Sequence, residues 1–488
     1  MPTADGEETK PTAGWYSDLW PILFLFFGLV LWHWPTLVLA PGVNHDEIAL
    51  NAAARNWTAR GVVALSPLAE AGRTYSEAYY WHPPGHLWVM SGVYEVFGFS
   101  IESTRWVSLL SGAVAVVLVF RVLRMLQMSR NIAILSAVLF AAHPLFWWLC
   151  RSGRMDLIAI DLGLCAVLVS LRESDHAMRR AGWSGLLLGL AALFHVMILV
   201  WAPAIVLADY VRERRVRVSC TTLFLGLAAL PLAIWIIAVC WRGNADAFRE
   251  QFIEYQLLQR SGAGPLWRRP VEEVGLLIRQ WKFLPAVLPL LAAGIMAGWA
   301  YATAHRKWAA GGLVACVFLI AFGTGKGTGA YPLYWFVWFL LTAAAGIAAL
   351  PSRWRYWLTA VAIGNTVVVQ LGMTTIALYQ RAARDPARVD RFFAAHIQPG
   401  KIVVGPEDIW YAVEHAGSQL RIWVKPNPAR HDYVVTYANE PVIAPVGYTL
   451  AAELPDTMPR IAGYYFSHTA YAYRLWIPKS LGRTPRDP

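Results

Sequence analysis

Apolar runs of about 20 residues recur along this chain between short basic clusters, and they restrict its possible folds more than any other feature. A run of that length can cross the hydrocarbon core of a bilayer as a helix, because a helix satisfies its own backbone hydrogen bonds. Only 15% of the residues are charged, against about 25% in an average soluble protein. We therefore predict an α-helical polytopic membrane protein.

Eleven membrane spans are predicted from these runs. Their approximate limits are 20–40, 103–123, 131–149, 155–171, 182–196, 197–210, 219–240, 283–302, 309–323, 330–350 and 356–378. The first run lacks the small-residue site at which a signal peptide is cleaved, so we expect it to be retained as a helix. The 25 tryptophans agree with a membrane protein, because Trp and Tyr favour the lipid interface.

The distribution of basic residues predicts the orientation of the spans, because cytoplasmic loops carry an excess of Lys and Arg. With the N-terminus in the cytoplasm, the short outer turns hold only Arg151, Arg154 and Lys326. The cytoplasmic turns hold fourteen basic residues, namely Arg121, Arg124, Arg130, Arg172, Arg179, Arg180, Arg212, Arg214, Arg215, Arg217, Arg306, Lys307, Arg353 and Arg355. The net charge of +11 is therefore explained without a nucleic-acid partner.

The same topology divides the chain into domains. The predicted parts are a cytoplasmic tail (1–17), a transmembrane domain (18–380) with outer loops 41–102 and 241–282, and an extracytoplasmic α/β domain (381–488). In the last part, "GKIVVGPEDIWYAVEHAG" predicts a strand, a turn and a helix that stops at Gly417. The segments "RIWVK" and "DYVVTY" predict further strands.

The stretch "GVNHDEIALNAAARNW" at 41–56 places two adjacent acids, Asp46 and Glu47, just after the first apolar run. One interpretation is structural: Asn44 caps a helix, Glu47 stands three positions later, and acids in a first turn suit the helix dipole. The other interpretation is that the acids belong to a site on the outer face. The stretch by itself leaves both interpretations open.

Further ionisable residues fall near the same outer surface. Arg105 begins the second span, and "CRSGRMDLIAIDLGL" places Arg154 and Asp156 at the outer end of the fourth. Charged groups this close to hydrocarbon are costly and often functional. Structural alternatives stay open, because Arg105 can extend its charge to the interface and Asp156 can pair with Arg154. Together with Asp46 and Glu47, however, these residues indicate one outer site.

The order of these motifs resembles the GT-C class of membrane glycosyltransferases. The closest group contains the protein O-mannosyltransferases and the lipid A aminoarabinose transferases (PMT/ArnT-like family). The matching features are the Asp-Glu pair, the Pro-Pro pair in "YYWHPPGHLWVMSGVYEVFG", "FG…STRWVSLLSG", the R-x-D at the fourth span and a late "K…YPLYWFVWFL". They extend over about 350 residues of the chain.

The resemblance implies a GT-C-like fold and a transfer reaction on the outer face of the cell inner membrane. The donor would be a sugar linked to a polyprenyl phosphate, and the acceptor a hydroxyl of a lipid, glycan or protein. The enzyme would be a hexosyl- or pentosyltransferase that inverts the anomeric carbon, and it would require no cofactor. The family's two acids correspond here to Asp46 and Asp156.

The residue types suit this chemistry. A carboxylate can take the proton of an attacking hydroxyl, and cations can hold the charge that grows on a leaving phosphate. We therefore predict three catalytic carboxylates: Asp46 as the base, Glu47 orienting the acceptor or Asp46, and Asp156 binding hydroxyls of acceptor or donor sugar. The other predicted site residues are phosphate-binding His82, Arg73, Arg105 and Lys326, and acceptor- or sugar-binding Arg154, Tyr79 and Tyr80.

One position departs from the aminoarabinose-transferase pattern, in which a lysine implicated in binding the lipid phosphate usually precedes the Pro-Pro pair. Here the residue is His82, whose imidazole is only partly charged near neutral pH. Phosphate binding is therefore expected to depend on Arg73, Arg105 or Lys326. The segment "FGTGKGTGAYP" around Lys326 is not a P-loop, because Gly327 stands where that motif needs Ser or Thr.

No convincing metal site is predicted. His45, Asp46 and Glu47 could ligate a divalent cation, but adjacent residues on a helix point in different directions, so such a cation is possible but not favoured. The five cysteines all lie in apolar runs and indicate neither disulfides nor a metal site. Two other functions stay open: a transporter or flippase for a lipid-linked glycan, and a glycan ligase that moves whole chains.

Overall fold

The structure is a computed structural model that describes residues 18–69, 72, 74–172, 176–254, 311–312, 314–315, 332–349, 351–422, 431–442, 444–460 and 471–479. Within these residues a set of packed helices is followed by a small mixed sheet. This agrees with the predicted class, a helical membrane domain followed by an α/β domain. Two predicted site residues, Arg73 and Lys326, lie outside the described residues, as does the predicted span 283–302.

The helices are numbered in chain order over the described residues. They are α1 Leu19–His33, α2 His45–Arg60, α3 Gly85–Phe97, α4 Ile101–Met125, α5 Arg130–Ala142, α6 Pro144–Leu149, α7 Asp156–Leu171, α8 Ala177–Ala192, α9 Trp201–Glu213, α10 Val218–Trp241, α11 Ala245–Phe248, α12 Pro332–Ala349, α13 Ser352–Tyr379, α14 Arg381–Arg384, α15 Pro386–His396 and α16 Trp410–His415. Short 3-10 turns lie at Trp34–Thr36, Ser66–Leu68, Val196–Val200 and Glu407–Ile409, and a π turn at Arg249–Glu254.

Three helical segments in the described part of the chain are long and apolar enough to cross a membrane: Leu19–Thr36, Ile101–Met125 and Val218–Trp241. The predicted count of eleven spans is not confirmed. One cause is visible at the predicted span 131–149, where α5 ends at Ala142 and α6 begins at Pro144. His143 between them is extended, because the residue before a proline is disfavoured in the helical conformation.

The C-terminal sheet has five strands: β1 Ile402–Gly405, β2 Gln419–Ile422, β3 Tyr433–Tyr437, β4 Tyr448–Leu454 and β5 Tyr473–Pro478. Their order is β2-β1-β3-β5-β4. Strand β1 is parallel to β2 and β3, whereas β5 is antiparallel to β3 and β4. The predicted strand, turn and helix are confirmed as β1 and α16, and Gly417 follows that helix with φ +73°, a value that favours glycine.

The described residues form two main hydrophobic cores. One lies among the membrane helices and includes Phe120, Phe146 and Trp201. The other joins α2 and α3 to the C-terminal domain, with Ile48 of α2 in the same cluster as Trp410 of α16. Residues of the segment 41–102 therefore pack into one core with residues of 381–488.

Three buried arginines hold the segment 36–41, which follows α1. They come from α4, from the turn after α6 and from α14, and all three donate to backbone carbonyls of segment 36–41. The bonds run from Arg105 Nη1 to Leu37 (3.0 Å) and Pro41 (2.9 Å), from Arg151 Nη1 to Thr36 (3.1 Å), and from Arg384 Nη1 to Leu39 (3.2 Å). Buried backbone carbonyls outside regular secondary structure need hydrogen-bond donors, and the three guanidinium groups supply them here. The start of α2 is thereby tied to this anchored segment.

Candidate active site

The two adjacent acids lie in the first turn of α2 and point to different surroundings. Asn44 caps this helix, since its side chain accepts a hydrogen bond of 3.0 Å from the Glu47 backbone N–H. The capping interpretation is therefore confirmed. The Asp46 side chain is 48% exposed, whereas that of Glu47 is 0% exposed. Only Asp46 is open to a substrate in this arrangement.

Glu47 is the centre of a buried polar cluster. Arg105 donates to it through Nε (3.0 Å to Oε1) and Nη2 (2.9 Å to Oε2). The hydroxyl of Tyr411, from the C-terminal domain, donates to Oε1 at 3.3 Å. A buried carboxylate is costly unless it is paired and hydrogen-bonded, and here both oxygens have donors. This geometry suits Glu47 to an orienting role, and it leaves no exposed edge for direct contact with an acceptor.

Arg105 is placed differently from the sequence-based expectation. Its side chain is 0% exposed and does not extend to the interface. Its Nη1 donates to two carbonyls of the segment that follows α1, and its other two nitrogens donate to Glu47. Protein groups therefore occupy this guanidinium, which gives no support to its predicted contact with a donor phosphate.

Arg154 joins the two predicted catalytic aspartates. Its Nη1 donates to Asp46 Oδ2, and its Nε donates to Asp156 Oδ2 at 2.8 Å. The guanidinium carbon also lies 5.2 Å from the ring centroid of Trp148, a distance that permits a cation–π interaction. The planar fork of an arginine can bind two carboxylates at once. Arg154 thus fixes the direction of the half-exposed carboxylate of Asp46.

Asp156 is fully buried at the start of α7. Its Oδ2 accepts the hydrogen bond from Arg154 Nε. Its Oδ1 accepts one of 3.2 Å from the hydroxyl of Tyr334, which lies on α12. His195 Nε2 lies 4.0 Å from the same oxygen. Tyr334 falls within the late aromatic motif of the sequence, but neither it nor His195 was predicted as a site residue.

His82 lies half-buried beside this cluster. Its ring centroid is 5.1 Å from that of Trp81 and 5.7 Å from that of His195. The following glycine, Gly85, docks closely, since its N–H donates to the Leu193 carbonyl at 2.8 Å. An added Cβ at Gly85 would lie 2.8 Å from that same oxygen. The close approach explains why a glycine follows the Pro-Pro pair, and it holds the segment that places His82 beside His195.

A second layer of polar residues links α2 to the turn that carries Arg154. Asn51 donates to the carbonyls of Glu47 (2.6 Å) and Gly153 (2.8 Å), and its Oδ1 lies 3.1 Å from His86 Nε2. Burial lowers the pKa of His86 to about 4, so its imidazole is neutral at physiological pH and donates from Nε2. Gly153 has φ +57°, and a Cβ there would lie 2.5 Å from Thr104 Cγ2. Sequence reasoning missed this layer.

The two predicted sugar-binding tyrosines lie on the loop before Trp81. Tyr79 is buried, and Tyr80 is half-buried. The backbone N–H of Tyr80 donates to the buried side chain of Gln251 at 2.7 Å. Gln251 also donates to Thr74 Oγ1 (2.9 Å) and the Ala78 carbonyl (3.1 Å), so the π turn after α11 holds this loop. Among the described residues, no group of three or more His, Cys, Asp or Glu side chains is placed to hold a metal ion.

Comparisons with known proteins agree with this fold. Residues 81–241 match the family described as dolichyl-phosphate-mannose-protein mannosyltransferase. The matched segment contains Arg154 and Asp156 and begins after the acids of α2. No curated protein matches the chain in sequence.

Several solved structures share the fold at low sequence identity. ArnT from Cupriavidus metallidurans bound to undecaprenyl phosphate is 16% identical with a TM-score of 0.57, and the match covers 83% of this chain and 86% of that one. The same protein in the apo state is also 16% identical, with a TM-score of 0.59, and the match covers 86% of this chain and 93% of that one. The apo oligosaccharyltransferase of Archaeoglobus fulgidus is 12% identical with a TM-score of 0.50, covering 87% of this chain and 70% of that one.

The chain shares the fold of these membrane glycosyltransferase structures, and its residues 81–241 match the mannosyltransferase family, so in fold it resembles the GT-C class. Within that class the chain resembles the PMT/ArnT-like family, as its motifs predicted.

Proposed function

We propose that the protein transfers a sugar from a polyprenyl-phosphate donor to a hydroxyl of a lipid, glycan or protein, with inversion, on the outer face of the inner membrane. The observation that carries the proposal is the position of Arg154. It binds the half-exposed Asp46 and the buried Asp156 at once, in a fold of the GT-C class.

In the proposed reaction Asp46 is the general base. The acceptor oxygen forms a bond to the anomeric carbon while its proton passes to the Asp46 carboxylate. The bond between the anomeric carbon and the phosphate oxygen breaks on the opposite face, and the lipid phosphate leaves with the electron pair. Because Arg154 holds Oδ2 of Asp46, Oδ1 is the oxygen assigned to the proton. Within the described residues no hydrogen bond reaches Oδ1.

The buried acids have supporting roles in this proposal. The two oxygens of Asp156 accept hydrogen bonds from Arg154 and Tyr334. This supports a role in orienting Arg154 rather than in binding a hydroxyl of the acceptor or donor sugar. Glu47 orients the helix that carries Asp46.

The donor phosphate is proposed to bind near His82, with Arg73 and Lys326 as further cations. Cations are needed there because the leaving phosphate gains negative charge in the transition state. Two observations support a lipid-phosphate donor: the resemblance to the PMT/ArnT-like family, and the shared fold with an ArnT bound to undecaprenyl phosphate. No cofactor or metal is part of the proposal.

The test incubates the purified full-length protein with a panel of polyprenyl-phosphate sugars and with lipid, glycan and peptide acceptors. Mass spectrometry follows loss of sugar from the donor and the mass gained by the acceptor. A gain of one sugar supports the proposal, whereas a gain of a whole glycan indicates a ligase. Movement of an intact lipid-linked glycan across a vesicle membrane, without sugar loss, would indicate a flippase and overturn it.

The matched control is Glu102→Gln, which removes an exposed carboxylate near the same membrane surface. We expect it to retain full turnover, while Asp46→Asn loses nearly all of it.

A further inference from the structure

Helix α16 of the C-terminal domain bonds α2 at two places. Tyr411 donates its hydroxyl to Glu47 in the first turn of α2. Glu414 accepts from Arg60 Nη2 at 3.0 Å and lies 3.6 Å from Arg55 Nε. The Glu414 side chain is buried. Contacts at the first turn and in the C-terminal half of one helix restrict both its tilt and its movement along its axis.

An aromatic cluster fixes the Tyr411 ring. Phe99, from the turn between α3 and α4, stacks on Tyr411 with ring centroids 5.1 Å apart and an interplanar angle of 24°. Trp410 and His415 meet the edge or face of the same Phe99 ring at 5.1 and 5.5 Å, and the Arg55 guanidinium lies 4.6 Å over it. Packing on this many sides fixes the Phe99 ring, and the Tyr411 ring is held between Phe99 and Trp410, whose centroid is 4.7 Å away. The direction of the Tyr411 hydroxyl is therefore set by packing.

The geometry connects this contact to Asp46. Oε1 of Glu47 receives both Arg105 and Tyr411, so it depends on one donor from the membrane domain and one from the C-terminal domain. Asp46 is the preceding residue of the same helical turn, and among the described residues the only hydrogen bond of its side chain is to Arg154. The contacts of Glu47 with Arg105 and Tyr411 therefore set the position of α2. The position of α2 in turn sets the distance from Asp46 to Arg154.

We propose that the C-terminal domain holds α2 in the position from which Asp46 acts, with Tyr411 and Glu414 as positioning residues. The effect on rate rests on the proposed function, whereas the effect on α2 does not. Neither residue touches a substrate in this role. The C-terminal domain then contributes to activity by positioning α2.

The test compares Tyr411→Phe and Glu414→Gln with Tyr437→Phe in the full-length protein. Tyr437 is a matched control, because its hydroxyl bonds Asp408 within the same domain at 3.2 Å and not α2. Two measurements are made: hydrogen exchange of the backbone amides at 45–50, and kcat and KM for donor and acceptor.

We expect Tyr411→Phe to speed exchange at 45–50 by roughly tenfold, because a buried charged group loses a hydrogen-bond donor. We expect kcat to fall by roughly tenfold with the donor KM unchanged, because a small displacement of a catalytic group is costly. Glu414→Gln should change both in the same direction, and Tyr437→Phe should change neither. In a Glu47→Gln background, Tyr411→Phe should lower kcat by less than about twofold, since its partner is already altered.

Equal exchange at 45–50 in Tyr411→Phe and Tyr437→Phe would overturn the inference. So would faster exchange in Tyr411→Phe with native kcat. Failure of the proposed function would give a different result. Asp46→Asn would then keep its turnover, while Tyr411→Phe would still speed hydrogen exchange at 45–50. If Asp46→Asn is inactive but Tyr411→Phe matches the native protein in both measurements, only the positioning role is lost.

Discussion

Arg105 and Glu47 meet through two hydrogen bonds of 3.0 and 2.9 Å, and neither side chain is exposed. Arg105→Met leaves the Glu47 carboxylate buried without its cation, so we expect unfolding to become easier by about 3–5 kcal/mol. Replacing both residues by Met should restore part of the loss, because no unpaired charge is left. The measurement is the unfolding midpoint in detergent, and equal midpoints for Arg105→Met and the native protein would contradict the prediction.

Asp46→Asn keeps the shape of the side chain and removes the base. Turnover should fall by about 10²–10⁴, while the unfolding midpoint should stay near the native value because this side chain is half-exposed. Steady-state rates and thermal unfolding of the same preparation check both statements. Glu47→Gln should lower turnover less, and the reverse order would mean that the wrong carboxylate was assigned as the base.

Arg154→Lys keeps the positive charge but loses the planar fork that reaches Asp46 and Asp156 together. A lysine is a poor substitute at such a site, so we expect turnover to fall by roughly tenfold or more. Arg179→Lys is the control, since Arg179 is exposed on α8. Native turnover in Arg154→Lys would show that the bridge between the two aspartates is not needed.

Asp408 gives the C-terminal domain a pH-dependent stability. Burial raises the pKa of its carboxyl to about 7, against the lowering effect of hydrogen bonds from Tyr473 and Tyr437. A folded-state pKa above the unfolded value of about 3.9 means that the stabilisation is complete below pH 4 and is lost as pH rises through 7. Asp408→Asn removes this titration.

We therefore compare the unfolding midpoints of the native protein and Asp408→Asn at pH 5 and at pH 8. Relative to the variant, the native protein should have a lower midpoint at pH 8 than at pH 5. Tryptophan fluorescence during heating measures both proteins. A difference that stays constant over this range would show that Asp408 does not titrate there.

Sequence patterns indicate candidate site residues, but they do not show which of these residues pair. Asp46, Arg154 and Asp156 were all named, but Asp46 and Arg154 are separated by 108 positions, and no local pattern shows that they meet. The same holds for Arg105, a predicted phosphate-binding residue, which pairs with an acid 58 positions away. Which partner a buried charge finds depends on how the helices pack.

Other residues gave weaker signals or none. Tyr334 stands in an aromatic motif that was recognised, although its bond to Asp156 was not. Tyr411 lies 364 positions from Glu47 in a segment that was correctly predicted as helix, and nothing local marks its hydroxyl. The strand, turn and helix at the start of the C-terminal domain were predictable because they depend on local periodicity and on Gly417.

The three arginines that hold the segment after α1 make the site sensitive to the lipid around the protein. The segment Leu19–Thr36 has 18 residues, which corresponds to about 27 Å of helix, a little less than the roughly 30 Å of a typical hydrocarbon core. A thicker or thinner bilayer changes the depth or tilt at which such a helix rests. Because Arg105 and Arg384 tie the segment after this helix to Glu47 and to the C-terminal domain, we expect bilayer thickness to change the position of Asp46 relative to the lipid.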